Sequence, residues 1–482
     1  MLTAQAQLVE TVRQRFGAKA VTTDPDTIAP WLSDWRGRYR GNAPAMLTPG
    51  SRDEVAAMVT LAAEARVALV PQGGNSGMVG GATPPADGSA LLLSLRRMNA
   101  IRAMHPESNL AIAEAGVILA DFRDAAEQAG RRFPLDLGAR GSATMGGLVS
   151  TNAGGTQVLR FGTMRSLVAG VEAVLPDGSI HDGLAPLKKD NRGYDLNQLL
   201  IGAEGTLGIV TAATLRLVPA MVSRAVAWVG MESPARALAL LRAIEAKTNA
   251  VESFEILPAP VLDLVVGHIP GTRAPLESRH AWHVLIEAVS TDPAEEAPAA
   301  LLERLLAPAL ESGLAGDAVI AASEAQADAF WKIRHSISES ERAAGPAVQH
   351  DISVPVDDMP RFMIEGGAEA ERAFPGTRTI AYGHLGDGNV HFHVRAPQGT
   401  DPELFYASQA PAITRLVHDM VVAAGGSISA EHGIGQMKRA ELERLGPPSR
   451  IAALRAIKAA LDPRGILNPG KLVALAPDAA TP

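Results

Sequence analysis

Residues 134–155, PLDLGARGSATMGGLVSTNAGG, place six glycines in 22 positions, with Ser142, Thr144, Ser150, Thr151 and Asn152 between them. The stretch carries too few bulky side chains to build a core, and each internal glycine weakens a helix or strand. What it offers is backbone and hydroxyl donors with nothing large in the way, which suits an extended polar ligand lying along the main chain. Two more clusters frame it. PQGGNSGMVGG (71–81) follows the apolar run VALV, so Gln72, Gly73, Gly74, Asn75, Ser76 and Gly77 form a tight turn at a strand end. Successive N–H groups in such a turn make a nest for a pyrophosphate. IGAEGTLGIVT (201–211) sets Glu204, Gly205 and Gly208 ahead of a β-branched strand. The first-cluster spacing is neither G-x-G-x-x-G nor G-x-x-x-x-G-K-[ST], which excludes the Rossmann and Walker readings.

A chain of 482 residues holds two or three domains. Its net charge of −8 argues against nucleic acid and anionic membranes as partners. The absence of cysteine excludes disulfides, thiolate metal sites and cysteine nucleophiles. The N-terminus lacks a signal peptide's unbroken apolar core, and no long uncharged apolar window reads as a transmembrane segment. The expected location is the cytoplasm. Helical patterns such as SRDEVAAMVTLAAEA alternate with short apolar runs up to LVPA at 217–220. Beyond it, the strand-like VSRAVAWVG, SFEIL and WHVLIEAV alternate with helical stretches, which reads as an antiparallel sheet with helices on one face. An Ala/Pro-rich tail closes the chain.

GHLGDGNVHFHV (383–394) gathers three of the twelve histidines among three glycines. His384 and His391 lie on the two limbs of a Gly-Asp-Gly bend. Glu431, in the Gly-rich SAEHGIG, is the best third ligand. Two histidines and a carboxylate with an open position suit zinc, and less specifically Mn, Fe or Co. His393 shares a strand face with His391 and is a rival ligand. Asp387 reads as a turn former. FWKIRHSISES puts Arg334 and Ser338 at i and i+4, on one helix face.

Taken together, PQGGNSGMVGG, PLDLGARGSATMGGLVSTNAGG, KKDNRGYDLNQLLIGAEGTLGIVT, GHLGDGNVH, EHGIG and ILNPGK resemble the FAD-dependent D-2-hydroxyacid dehydrogenases of the vanillyl-alcohol oxidase superfamily. The motifs follow family order over nearly the whole chain. The resemblance implies an α+β fold: a two-subdomain FAD-binding domain of the vanillyl-alcohol oxidase type over 1–220, a substrate-binding cap domain with an antiparallel sheet and flanking helices over 221–425, and a C-terminal segment, 426–482, returning to the flavin. It places Gln72 to Gly77 near the pyrophosphate of FAD. Gly138, Ser142, Thr144, Gly146, Gly147, Asn152, Gly154 and Gly155 would flank the flavin, with Glu204, Gly205, Gly208, Ile209 and Asn468 completing the site. Some relatives tether the flavin through a histidine in the first loop; Asn75 stands there, so the FAD is expected to be non-covalent.

The resemblance further implies metal binding by His384, His391 and Glu431, and a base role for His432, which would take the hydroxyl proton as C2 releases hydride. Arg334, Ser338 and Asn389 would hold the substrate. Gln349 replaces the lysine that hydroxyglutarate-oxidising members commonly present, with His350 or Lys438 as alternative sources of the missing charge. The implied reaction is oxidation of a D-2-hydroxyacid to the 2-oxoacid, with D-2-hydroxyglutarate first and D-lactate or D-malate second. No motif marks the electron acceptor, which is left open among an electron-transfer flavoprotein, a quinone and a cytochrome; the oligomeric state is open too, with a homodimer as one option. Two rival classes are a non-redox flavoenzyme, as in the alkyl-glycerone-phosphate synthases, and an FAD-binding subunit of a larger complex.

Overall fold

The computed structural model describes residues 3–475; the Ala/Pro-rich tail beyond Leu475 lies outside the described residues. The chain divides into two compact units. One comprises the chain up to Gly155, Gly162–Pro219 and the chain from Glu431 onward; the other comprises Thr156–Phe161 and Ala220–Ala430.

The first unit contains two main sheets. In the four-stranded sheet, Ala90–Ser94 lies between Met46–Leu47 and Ala68–Gln72, parallel to both, with Val21–Thr22 at the edge. All five residues of ALLLS are buried, as expected where a parallel strand is covered on both faces and reads as a continuous apolar run. The helix Arg52–Ala65 provides one cover. Ser51 opens it by accepting the Glu54 N–H, and Glu54 reaches back to the Gly50 N–H. Val55, Met58, Val59 and Ala62 recur at helical spacing and pack with Leu69, Leu91 and Leu93. The five-stranded sheet is antiparallel, in the order Ile101–His105, Leu110–Glu114, Ile209–Arg216, Val168–Val174, Ile180–Asp182.

The end of the chain rejoins the four-stranded sheet. The Leu69 N–H donates to the Ile466 carbonyl and the Asn468 N–H to the Leu69 carbonyl, both at 2.8 Å. Lys458 fixes this return: its buried ammonium donates to the carbonyls of Thr206 (2.7 Å) and Leu467 (2.9 Å) and to Asp462 Oδ2 (2.5 Å). Asp462 in turn accepts the N–H groups of Ile466 and Leu467. Lys458→Met would leave the fully buried Asp462 without its cation, and is expected to destabilise the protein by about 3–5 kcal/mol. Thermal unfolding should show a lower midpoint, partly restored by adding Asp462→Asn. An unchanged midpoint would show that the pair contributes nothing.

The second unit is built on one seven-stranded antiparallel sheet. Its order is Asp317–Ile320, Ser223–Met231, Trp282–Ser290, Val251–Pro258, Arg378–His384, Asn389–Arg395, Ala347–Ser353. Thr156–Phe161 joins this unit through Arg160, paired with the buried Glu252 at 2.9 Å, and through the Thr156 carbonyl, which accepts from Ser253 Oγ. Helices cover both faces of the sheet, correcting the one-faced arrangement expected above. Ala225, Ala227 and Val229 share a core with the helices Pro234–Glu245 and Pro298–Glu311. Val226 and Trp228 belong to a second core with Ala259–His268 and Glu324–His335. Alternate residues of a strand face opposite ways, so the run AVAWVG, apolar at every position, already implied two covered faces. No helix among the described residues is long and apolar enough to cross a membrane.

Candidate functional site

In the first unit, the strand Ala68–Gln72 delivers the first glycine loop against the second. A Cβ on Gly73 would run into Thr144 Oγ1, and one on Gly74 into the Ser142 carbonyl oxygen. Only glycine permits this approach. Gln72 is buried and donates through Nε2 to the carbonyls of Trp31 (3.0 Å) and Ala82 (2.9 Å). Asn75 Nδ2 donates to the Ser33 carbonyl at 2.8 Å.

Seven non-glycine residues among those described have a left-handed backbone, and four of them are Asn75, Asn152, Glu204 and Asn468, all in the expected cofactor set. Asparagine tolerates that conformation; glutamate does so rarely. Glu204 is held there by its carboxylate, which accepts the N–H groups of Ile434 and Gly435, both at 2.7 Å. Burial raises its carboxyl above the usual range, against those two donors. Asn152 Oδ1 accepts from Thr163 Oγ1 and the Arg165 N–H. Asn468 Nδ2 donates to the carbonyls of Gly81 and Glu204. These side chains shape the loops, which leaves fewer of them for a ligand than the motifs suggested. Gly146, Gly154, Gly155 and Ile209 are buried among them, whereas Gly77 and Ser142 are exposed. A Cβ on Gly77 or Gly138 would meet nothing.

Three buried side-chain oxygens in these loops have no hydrogen-bond partner: Gln72 Oε1, Thr144 Oγ1 and Asn468 Oδ1. Such atoms are rare in folded proteins. Clustered with glycines at close approach, they fit a ligand rich in hydrogen-bonding groups, as FAD is.

In the second unit, the hairpin Arg378–His384 and Asn389–Arg395 carries the histidines. Gly388, at φ +79°, makes its turn, and a Cβ there would strike the Val354 carbonyl. Asp387 Oδ1 accepts the Asn389 N–H at 2.9 Å. His384 and His391 rings lie 5.5 Å apart. Glu431 and His432 are the first residues after Ala430, whose N–H donates to the Asp351 carbonyl, so the chain itself carries them to the edge of this sheet. The ligand atoms of His384, His391 and Glu431 lie within 4.8 Å of one another, as do those of Asp351, Glu431 and His432. Burial, followed by the positive charge of Arg334, pushes the His391 imidazole well below its usual pKa. It is therefore neutral, with a lone pair for a cation. The donor set fits a divalent metal.

His384 donates through Nδ1 to Glu255 Oε1 at 2.5 Å, and Arg334 Nε donates to Glu255 Oε2 at 2.6 Å. Burial alone would raise the Glu255 carboxyl, but the Arg334 charge and the His384 hydrogen bond outweigh it and lower it to about 2. The sequence reading missed Glu255. The available signal was a lone charge inside the apolar SFEIL. Asp351 was missed too, and it accepts from Asn389 Nδ2 at 2.9 Å. Asn389 also donates to the Ile352 carbonyl, while its Oδ1 is buried without a partner.

Arg334 and Ser338 do not share one helix. The first helix ends at His335 and a second, Ile337–Ala343, begins after Ser336. Arg334 lies instead over Tyr382, its guanidinium 5.3 Å from the ring centre. His393 donates to the buried Glu341 at 2.8 Å and stands outside the metal-ligand group. Gln349 is half-buried and opposite His393 in the strand register. His350 points to the other face, its ring nitrogens against the Phe392 carbonyl and Thr414 Oγ1, so it cannot replace the charge absent at Gln349. Lys438 is buried in the first unit, with Glu204 among its charge neighbours.

Residues 43–183 match the family model "FAD binding domain", and residues 221–472 match "FAD linked oxidases, C-terminal domain". The chain is 37% identical over 465 residues to the mitochondrial D-2-hydroxyglutarate dehydrogenase of Arabidopsis thaliana, covering 96% of this chain and 80% of that protein. It is 37% identical over 462 residues to D-2-hydroxyglutarate dehydrogenase of Xanthomonas citri pv. viticola, covering 96% of each. Among solved structures, p-cresol methylhydroxylase superposes with a TM-score of 0.75 at 17% identity, over 98% of this chain and 97% of that one. Alkyldihydroxyacetonephosphate synthase gives 0.71 at 17% identity, over 97% and 86%. At these identities the structural likeness is one of fold, the vanillyl-alcohol oxidase type.

Proposed function

This chain belongs to the FAD-linked oxidases as an FAD-dependent D-2-hydroxyacid dehydrogenase, and on that premise we propose that its reaction is metal-assisted oxidation of D-2-hydroxyglutarate to 2-oxoglutarate. The carrying observation is the grouping of His384, His391 and Glu431 donors beside a carboxylate-anchored arginine. When bound, flavin supplies the hydride acceptor and a divalent ion the Lewis acid. Gln72, Thr144 and Asn468 would hold the flavin; the two histidines and Glu431 would hold the ion.

The remaining work falls to the chain's own side chains. Arg334, anchored through Nε by Glu255, is the proposed partner of the substrate carboxylate. Tyr382 beneath the guanidinium limits its swing. His432 takes the C2 hydroxyl proton as hydride leaves the same carbon, so the alcohol loses two electrons and two hydrogens to become the ketone. Asp351, grouped with His432 and Glu431, would orient the imidazole.

The test is an anaerobic titration of the FAD-loaded protein with D- and L-2-hydroxyacids, following flavin absorbance and oxoacid yield. Bleaching by D-2-hydroxyglutarate with matching 2-oxoglutarate supports the reading. Bleaching by D-lactate or D-malate alone would retain the chemistry and move the substrate; no bleaching by any acid would refute the reaction. Gln349 favours the second reading, since it is uncharged where a second carboxylate needs a cation. Gln349→Lys is therefore expected to raise kcat/KM for D-2-hydroxyglutarate over D-lactate by about 10–100-fold, the equivalent of one charge-assisted hydrogen bond. An unchanged ratio would remove Gln349 from specificity.

A further inference from the structure

We infer that Glu255 is a positioning residue that couples metal occupancy to substrate-carboxylate binding, through one oxygen on His384 and the other on Arg334. The inference rests on the proposed roles of those two residues and adds a third to them. Glu255 faces His384 directly across the sheet, as its register partner between the strands Val251–Pro258 and Arg378–His384. Its neighbours Phe254 and Ile256 point the other way into the apolar core, and the residue itself is fully buried. A carboxylate fully removed from water is tolerated only when charged donors satisfy it. Here one oxygen accepts from the His384 Nδ1–H and the other from the Arg334 Nε–H.

The first bond selects the tautomer. With Nδ1 protonated, His384 Nε2 carries the lone pair, and the carboxylate behind it makes that nitrogen more basic toward a cation. The second bond works against the first. Arg334 draws on the same negative charge and places its own positive charge near the ligand group. A substrate carboxylate arriving on Arg334 offsets that charge, leaving more of Glu255 to support His384. Metal on His384 has the reciprocal effect on Arg334, because a coupling free energy acts equally in both directions.

The experiment uses FAD-loaded, metal-stripped protein. Zn²⁺ is titrated against a competing chelator, with and without 2-oxoglutarate, which carries the same carboxylates and does not reduce flavin. Wild type should bind Zn²⁺ at least fivefold more tightly with 2-oxoglutarate present. Glu255→Gln should weaken Zn²⁺ binding by about 10–100-fold, the usual effect of losing a ligand's carboxylate partner, and remove the effect of 2-oxoglutarate. Glu255→Asp keeps the charge and should recover part of both; it also serves if the glutamine variant does not fold. Glu341→Gln, which breaks the comparable pair with His393, should change neither quantity. Zn²⁺ affinity within threefold of wild type in both Glu255 variants would overturn the inference and leave the proposed reaction standing. A wild type that binds no Zn²⁺ would overturn both.

Discussion

Replacing His432 by alanine is expected to slow substrate-driven loss of flavin absorbance by about 10²–10⁴-fold, the span of a lost general base, while FAD remains bound. The expectation follows from chain position. His432 is held next to Glu431 at the point where the chain leaves the sheet edge, and its ring falls in one group with Asp351. Neither Arg334 nor the ligand group is altered by the substitution, so substrate affinity should change little and the loss should appear in the rate of bleaching. Stopped-flow reduction over a pH series separates the possibilities. A base role predicts that the wild-type rate falls at low pH as the imidazole protonates, and that the alanine variant loses this limb of the profile. Normal bleaching in the variant would exclude His432 from proton removal.

Metal removal should have an effect of similar size. EDTA treatment is expected to lower the bleaching rate by about 10²–10³-fold, corresponding to several kcal/mol of charge stabilisation at the reacting oxygen. Zn²⁺ or Mn²⁺ should restore it. His384→Ala should reproduce the loss, but added metal should not rescue it, because one of three ligands is gone. Flavin absorbance before substrate should be the same in all samples. Full activity after exhaustive chelation would make the histidine group structural and leave hydroxyl polarisation to side chains alone.

The geometry of the candidate site was legible in sequence wherever the constraint was local. Glycines that let two loops touch, and histidines on either limb of a short bend, announce themselves by spacing. Side chains whose partners lie far along the chain did not. Glu255 and His384 are 129 residues apart, and nothing in SFEIL says which cation faces its carboxylate. The helix carrying Arg334 looked continuous because Ser336 is a mild interruption rather than a proline or glycine. The cofactor loops show the converse. Asn152 and Glu204 lie in ligand-like motifs, but their side-chain oxygens are engaged by neighbouring backbone and hydroxyl groups. They support the cradle by holding left-handed turns. The second cover of the large sheet was readable and overlooked: an antiparallel strand apolar at every position has no face left for water.

The return of Ile466–Asn468 to the strand at Leu69 also bears on how the protein is made. Arg464 donates to the Ala63 carbonyl across 401 residues of sequence, and Asn468 to the Gly81 carbonyl across 387. A ribosome therefore releases the strand Ala68–Gln72 long before the segment that completes its sheet exists. Contacts of such separation form late and slowly. The second unit, nearly continuous in sequence, can fold during synthesis, whereas the first must wait for Ile466–Asn468. Nascent protein arrested before Lys458 should thus hold a folded second unit and no flavin.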